Sequence, residues 1–261
     1  MSTFTLKIIA CITMLIDHIT LLFVPKDFGY LFHLSIGSYE RDITLYVIGR
    51  VIGRIAFPLF AFLIVQGFLH TRNVKKYMLR LAIFAFISEI PFDFAFSEKP
   101  FGIVIRNFPQ ELFDQQNIFF TLILGLIAIT CIDRLQKSYQ DKLLRGKSSY
   151  NARFFVNFYS IIVIIAASVS LILIRGSYLD YGYGVLIIIG FYYGYRSKAA
   201  TLIIFILLTG FLCGDIQFMA ILAAPFIYRY NGEKGPSYKY AFYLFYPIHL
   251  VVLKLIQLAI E

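Results

Sequence analysis

The 261-residue sequence predicts an all-α fold, a polytopic transmembrane helix bundle of about nine spans (eight to ten) in a single domain over residues 1–261, with its N-terminus cytoplasmic. Three observations carry this expectation. Hydrophobic residues make up 59% of the chain and charged residues only 15%, against about 25% charged in a soluble domain, so most of the chain has no face for water. Apolar windows occupy the chain nearly end to end, and about nine spans of roughly 20 residues leave no room for a soluble domain beside them. Basic residues gather on alternate loops, the asymmetry that sets the orientation of membrane proteins.

The windows run over residues 6–24, 45–69, 77–96, 118–132, 155–174, 184–195, 199–211, 217–229 and 241–260. The first contains Asp17 and His18 and ends in Val24-Pro25-Lys26-Asp27 without a small-residue cleavage pattern. It reads as a retained helix rather than a signal peptide. The three windows between 184 and 229 are short, and cross only if tilted or in a thinned bilayer; one re-entrant segment is the alternative. Trp is absent and Tyr numbers 19, so tyrosine supplies any interfacial belt.

Strict alternation puts Lys7, Arg72, Lys75, Lys76, Arg80, Arg134, Lys137, Lys142, Arg145, Lys147, Arg153, Arg196, Lys198, Arg229, Lys234 and Lys239 on the side of the N-terminus. The opposite side holds Lys26, Arg41, Lys99, Arg106 and Arg175 among more numerous acids. The net charge of +9 is thereby explained by orientation, with no nucleic-acid partner. The long outer loops 25–44 and 97–117 read either as lids over an outward-facing site or as plain connectors. Cys11, Cys131 and Cys213 lie in apolar runs and read as inert thiols, and no metal-ligand spacing or nucleotide-binding fingerprint occurs. No internal repeat is visible, which argues against repeat-built transporters.

Four ionisable residues stand inside predicted spans: Asp17, His18, Arg50 and Arg54. Each costs several kcal/mol at such depth unless paired or hydrated, so each is a functional candidate. Thr13, Asp17 and Thr20 fall at i, i+4 and i+7, one polar stripe on an apolar helix. His18 is turned about 100° from Asp17, so the two seek partners on other helices rather than forming a local dyad. Arg50 and Arg54 share a face in Gly49-Arg50-Val51-Ile52-Gly53-Arg54, whose glycines allow a close helix approach. An ion pair from Asp17 to Arg54 or Arg50 follows, either functional or purely structural. In the last window Lys239, Tyr243 and Tyr246 share a face, His249 follows one turn later, and Pro247 frees the Tyr243 carbonyl. That pattern reads as a site or as an aromatic belt with a kink. Glu89, ahead of Ile90-Pro91, marks a polar end to the third span, while His33 and His70 lie in or near loops.

These residues sit in motifs that resemble the F-pilin acetylase (TraX) family. The opening Leu6-Lys7-Ile8-Ile9-Ala10 with Met14-Leu15-Ile16-Asp17-His18 is similar, as is Gly53-Arg54-Ile55-Ala56-Phe57-Pro58-Leu59-Phe60-Ala61-Phe62 through His70-Thr71-Arg72-Asn73. Further matches are Ile87-Ser88-Glu89-Ile90-Pro91, Asn117-Ile118-Phe119-Phe120-Thr121-Leu122, Asp180-Tyr181-Gly182 and the closing Lys239-Tyr240 with Phe242-Tyr243-Leu244-Phe245-Tyr246-Pro247-Ile248-His249-Leu250. The resemblance runs nearly end to end. It implies an acetyl-CoA-dependent acyltransferase of the bacterial cytoplasmic (inner) membrane. Such an enzyme moves an acetyl group from cytosolic acetyl-CoA to an amine or hydroxyl of an envelope or exported acceptor, a peptide N-terminus or a glycan.

On that implication His18 is the expected base, acting directly or as an acetylated intermediate. Asp17 acts through an arginine, and Arg54, Tyr243, Tyr246 and His249 orient groups or stabilise the oxyanion. Arg72, Lys75 and Lys76, with Arg50 and Lys239, are the expected contacts for the CoA portion. From Leu6 to His18 is about 18 Å of helix, so a cytosolic donor must send its pantetheine arm into the bundle. The alternatives from the same residues are a small transporter with a proton or anion relay, and a non-catalytic assembly factor.

Overall fold

The computed structural model describes residues 1–36, 39–96, 116–145, 154, 156–163, 165–166, 182–212 and 215–260. The order is α1 (Thr3–Phe23), β1 (Tyr30–Ile36), β2 (Tyr39–Thr44), α2 (Leu45–Gly53), α3 (Ala56–His70), α4 (Val74–Phe96), α5 (Ile118–Leu144), α6 (Gly182–Gly194) and α7 (Lys198–Leu212). A 3-10 helix (Asp215–Ala223), α8 (Ala224–Tyr228) and α9 (Lys239–Ile260) complete it.

Among the described residues, Thr3–Phe23, Leu45–His70, Ile118–Leu144 and Tyr240–Ile260 are long and apolar enough to cross a membrane. Shorter apolar helices cover Tyr183–Gly194, Lys198–Leu212 and Ile216–Tyr228. The chain is therefore a mostly helical membrane protein. Helix α4 has 23 residues, about 35 Å of helix, but carries too many charges to stand out by hydropathy. Its acids turn inward: Glu89 is 0% exposed and Asp93 is buried, while Leu79, Ile83, Phe86, Ile87 and Ile90 form an exposed apolar stripe. The same division holds on α1, where Asp17 is buried and Ile8, Ile12 and Ile19 face outward. A helix that is apolar outside and polar inside suits lipid, not water.

Three expectations need revision. The window over 45–69 is not one helix. Pro58 has no N–H to donate to the Arg54 carbonyl and its ring would crowd it. The chain leaves α2 in tight turns, with Arg54 N–H donating to the carbonyls of Arg50 and Val51 and Ile55 N–H to that of Ile52. The window over 118–132 continues as helix to Leu144, where the apolar face ends but helical propensity does not. The fold is not purely α: part of the loop 25–44 is an antiparallel hairpin, with Tyr30 opposite Thr44, Phe32 opposite Ile43 and a bulge between. The loop 97–117 lies outside the described residues except for Gln116 and Asn117, as do Cys213, Asp180 and half of the window over 155–174.

Helix α1 is the hub, packed on α2, α3 and α9; α4 packs on α5 and α9, and α6 on α3, α5 and α7. The Gly49 and Gly53 pair does what its spacing predicts. A Cβ at Gly53 would overlap the Asp17 carboxylate and one at Gly49 the Thr20 hydroxyl. Gly53→Leu should therefore cost about 3 kcal/mol or more through overpacking. A lowered unfolding midpoint of the detergent-solubilised protein would check this, and an unchanged midpoint would refute the close approach.

The N-terminus is tied to the loop before α9. Thr3 N–H donates to the Glu233 carbonyl at 2.7 Å and Phe4 N–H to that of Lys234 at 3.1 Å. These bonds satisfy amides that the first turn of a helix leaves unpaired, and fix the starts of α1 and α9 at one end of the bundle.

Candidate functional site

Two cavities lie end to end along α1. The larger, about 340 Å³, is lined by the exposed His70, Lys234 and Ser237, with Thr71, Lys7, Tyr77, Arg80 and Tyr243 also on its wall. The smaller, about 80 Å³, is lined by Asp17, His18, Gly53, Arg54, Tyr183 and Gln217 among others. Met14, Phe60, Ile118 and Tyr246 line both, so they form the shared wall. The order of lining residues gives the helix directions. Helices α1, α4 and α9 run from the larger cavity toward the smaller, and α3 runs back.

Asp17 is held by both arginines. Arg54 Nη2 donates to Oδ1 and Oδ2 at 3.0 Å each, and Arg50 Nη1 lies 2.8 Å from Oδ2, an ion pair held by charge more than by bond direction. The rest of the Arg54 guanidinium is committed too: Nε donates to the Arg50 carbonyl at 3.2 Å and Nη1 to Gln217 Oε1 at 3.0 Å. Thr13 and Thr20 donate to carbonyls of their own helix, so the polar stripe concentrates at Asp17. Asp17 does not engage His18, as helix geometry requires.

His18 finds its partner on α9. Its Nδ1 is 2.7 Å from His249 Nε2, and the two rings are nearly parallel. His249 Nδ1 is 2.8 Å from the Phe245 carbonyl. A carbonyl only accepts, so Nδ1 of His249 carries the proton and its Nε2, with the ring neutral, accepts. His18 Nδ1 must then donate. That leaves the lone pair on His18 Nε2, an atom without a hydrogen bond among the described residues on a ring that lines the smaller cavity. A carbonyl, a histidine and a second histidine thus set the tautomer of the terminal base. His249 is 6% exposed and stacks on Phe245.

The remaining predicted residues divide. Tyr246 is buried, packs edge-on against Phe119 and belongs to the shared wall. Tyr243 stacks on Phe84 and lines only the larger cavity. Arg50 braces Asp17 and borders neither cavity. Arg72, Lys75 and Lys76 are exposed and also lie outside both cavities. Lys239 opens α9. The cations beside the larger cavity are instead Lys7, Arg80 and Lys234, with His70. Arg80 Nε is buried and has no hydrogen-bond partner among the described residues.

Glu89, read as the polar end of a span, holds the start of α5: Asn117 donates to it from both its backbone N–H and its side chain. Asn117 caps α5 by accepting from Phe119 N–H at 3.0 Å. His33 pairs with Asp42 at 2.8 Å on the hairpin, away from the cavities.

A family model described as TraX protein matches residues 2–257 of the chain. A curated relative, the "Probable fimbrial assembly protein FimC, serogroup H1" of Dichelobacter nodosus, is 31% identical over 274 residues, covering 97% of this chain and 94% of the relative. No solved structure matches the chain.

Proposed function

This chain belongs to the TraX family, and on that premise we propose that it is an acyltransferase of the bacterial cytoplasmic membrane, moving an acetyl group from cytosolic acetyl-CoA to an envelope or exported acceptor. The observation that carries the reading is the pair of cavities in series. One has Lys7, Arg80 and the exposed Lys234 on its wall, and the other is lined by a histidine whose Nε2 keeps a free lone pair. In this reading the chain makes about nine crossings, with the N-terminus and the mouth of the larger cavity in the cytoplasm, as the basic loops support.

Acetyl-CoA is a substrate whose chemistry fits the larger cavity. Its phosphates suit Lys234, Lys7 and Arg80, and the orphaned Arg80 Nε is a donor in want of an anion. The pantetheine arm passes Leu81, Phe119 and Leu122 to the wall of Met14, Phe60, Ile118 and Tyr246. Beyond it the smaller cavity holds about five water-sized groups, the scale of an acetyl group and its attacking atom.

There His18 Nε2 takes the proton of the acceptor hydroxyl or amine as its oxygen or nitrogen bonds to the acyl carbon. The C–S bond then breaks, and the thiolate leaves with the proton returned from His18. His249 is a positioning residue that fixes the tautomer. Asp17, Arg50 and Arg54 are a frame that holds α2 against α1 at this depth. The name of the relative, a probable fimbrial assembly protein, supports a pilin-type peptide as acceptor.

Reconstituted protein given [14C]acetyl-CoA and an envelope extract should transfer label to a component of the extract. Solute uptake without label transfer would favour a transporter instead. In the same assay Arg80→Gln should raise KM for acetyl-CoA about tenfold or more, the worth of one charge-assisted bond, while Arg72→Gln on the exposed loop should leave it unchanged. The reverse pattern would return the donor site to the sequence-predicted surface cations.

A further inference from the structure

Gln217 lies in none of the motifs that carry the family resemblance, yet it borders the smaller cavity together with His18. We infer that Gln217 donates the hydrogen bond that meets the acyl carbonyl oxygen as it gains negative charge, an inference that rests on the acyltransferase reading.

Two donors fix the orientation of the Gln217 amide. Gln217 Oε1 accepts from Arg54 Nη1 at 3.0 Å and from the Tyr183 hydroxyl at 3.2 Å. A guanidinium has only donors, so the group facing it must be the amide oxygen. The amide nitrogen is then turned from both partners. It has no hydrogen bond among the described residues, and the residue borders the cavity.

The backbone supports the same reading. Gln217 sits in a 3-10 helix of 9 residues, longer than the three or four usual for this form. Three residues per turn stack Gln217, Ala220 and Ala223 on one face. Ala220 also lines the cavity and Ala223 is fully buried. Alanines let that face come close, and the amide is its one polar group.

Arg54 holds Asp17 with one nitrogen and orients Gln217 with another, so the frame around Asp17 also aims the donor. A preorganised donor costs no reorientation as charge develops, and losing one costs about 10²–10³ in kcat.

The test uses two variants of the full-length protein in liposomes, assayed with [14C]acetyl-CoA and an envelope extract as acceptor source. Gln217→Glu keeps the oxygen that accepts from Arg54 and Tyr183 but removes the donor; Gln217→Met removes both at similar volume. The expected result is a kcat about 10²–10³-fold lower in both variants with KM for acetyl-CoA unchanged, and a thermal midpoint lowered in Gln217→Met but not in Gln217→Glu. Near wild-type kcat in Gln217→Glu with loss in Gln217→Met would make Gln217 a brace for Arg54 alone and overturn the inference while leaving the acyltransferase reading intact. A raised KM with unchanged kcat would overturn it in favour of ground-state binding. No transfer by the wild-type protein would overturn both.

Discussion

His18→Ala is expected to abolish acetyl transfer while leaving a folded, membrane-inserted protein. General-base catalysis contributes about 10²–10⁴-fold, and no other lone pair is prepared in the smaller cavity as this one is, by a chain running from the Phe245 carbonyl through His249 to His18. The fold should survive because the one His18 side-chain hydrogen bond among the described residues is to His249, which keeps its bond to the Phe245 carbonyl and its stack on Phe245. Substitution of His249 should have a graded effect. His249→Gln can still accept from His18 Nδ1 and should keep part of the rate, whereas His249→Leu frees the His18 tautomer and should lose most of it. Transfer assays with matched yields of monodisperse protein check the series. Full activity in His18→Ala would remove the histidine pair from the chemistry.

Asp17→Ala is expected to have the largest effect on the fold itself. It would leave two arginines, 18% and 13% exposed at their side chains, without the carboxylate that both engage. Removing one partner of a buried ion pair costs about 3–5 kcal/mol because the remaining charge stays desolvated. Here two charges share the carboxylate, so loss of expression or a collapsed unfolding midpoint is the expected result. Arg54→Ala should cost less, since Arg50 still neutralises Asp17, although it also removes the guanidinium that donates to Gln217 Oε1. Combining Asp17→Leu with Arg50→Leu and Arg54→Leu should recover much of the stability without activity, separating the frame from the chemistry. An Asp17→Ala protein as stable as wild type would show that the cluster is hydrated and contributes nothing to the fold.

The sequence makes the frame legible because its cause is local. Charges inside apolar windows are costly, helix geometry excludes an Asp17–His18 contact, and Gly49 and Gly53 mark where α2 approaches α1. The join of His18 to His249 is not local. Both residues stand out singly, but their meeting depends on α1 packing against α9, 231 residues apart in the chain.

The break at Arg54 has a signal that goes unread in a hydropathy window, Pro58 four residues on. The hairpin has one as well, Gly37-Ser38 between aromatic and β-branched runs. Lys7, Arg80 and Lys234 are absorbed by the orientation rule, which explains cations near helix ends whether or not a cavity lies beside them. Gln217 leaves the weakest trace, one amide in Ile216-Gln217-Phe218-Met219-Ala220 with no periodicity around it. A lone polar side chain in an apolar window identifies a cavity only once the helices that enclose it are in place.

Mass spectrometry of envelope peptides and glycans from cells with and without the protein reads acetyl transfer at its product. An acetyl-sized mass on a defined acceptor is expected only when the protein is present with His18 intact. Identical acetylation in both cell types would contradict this expectation.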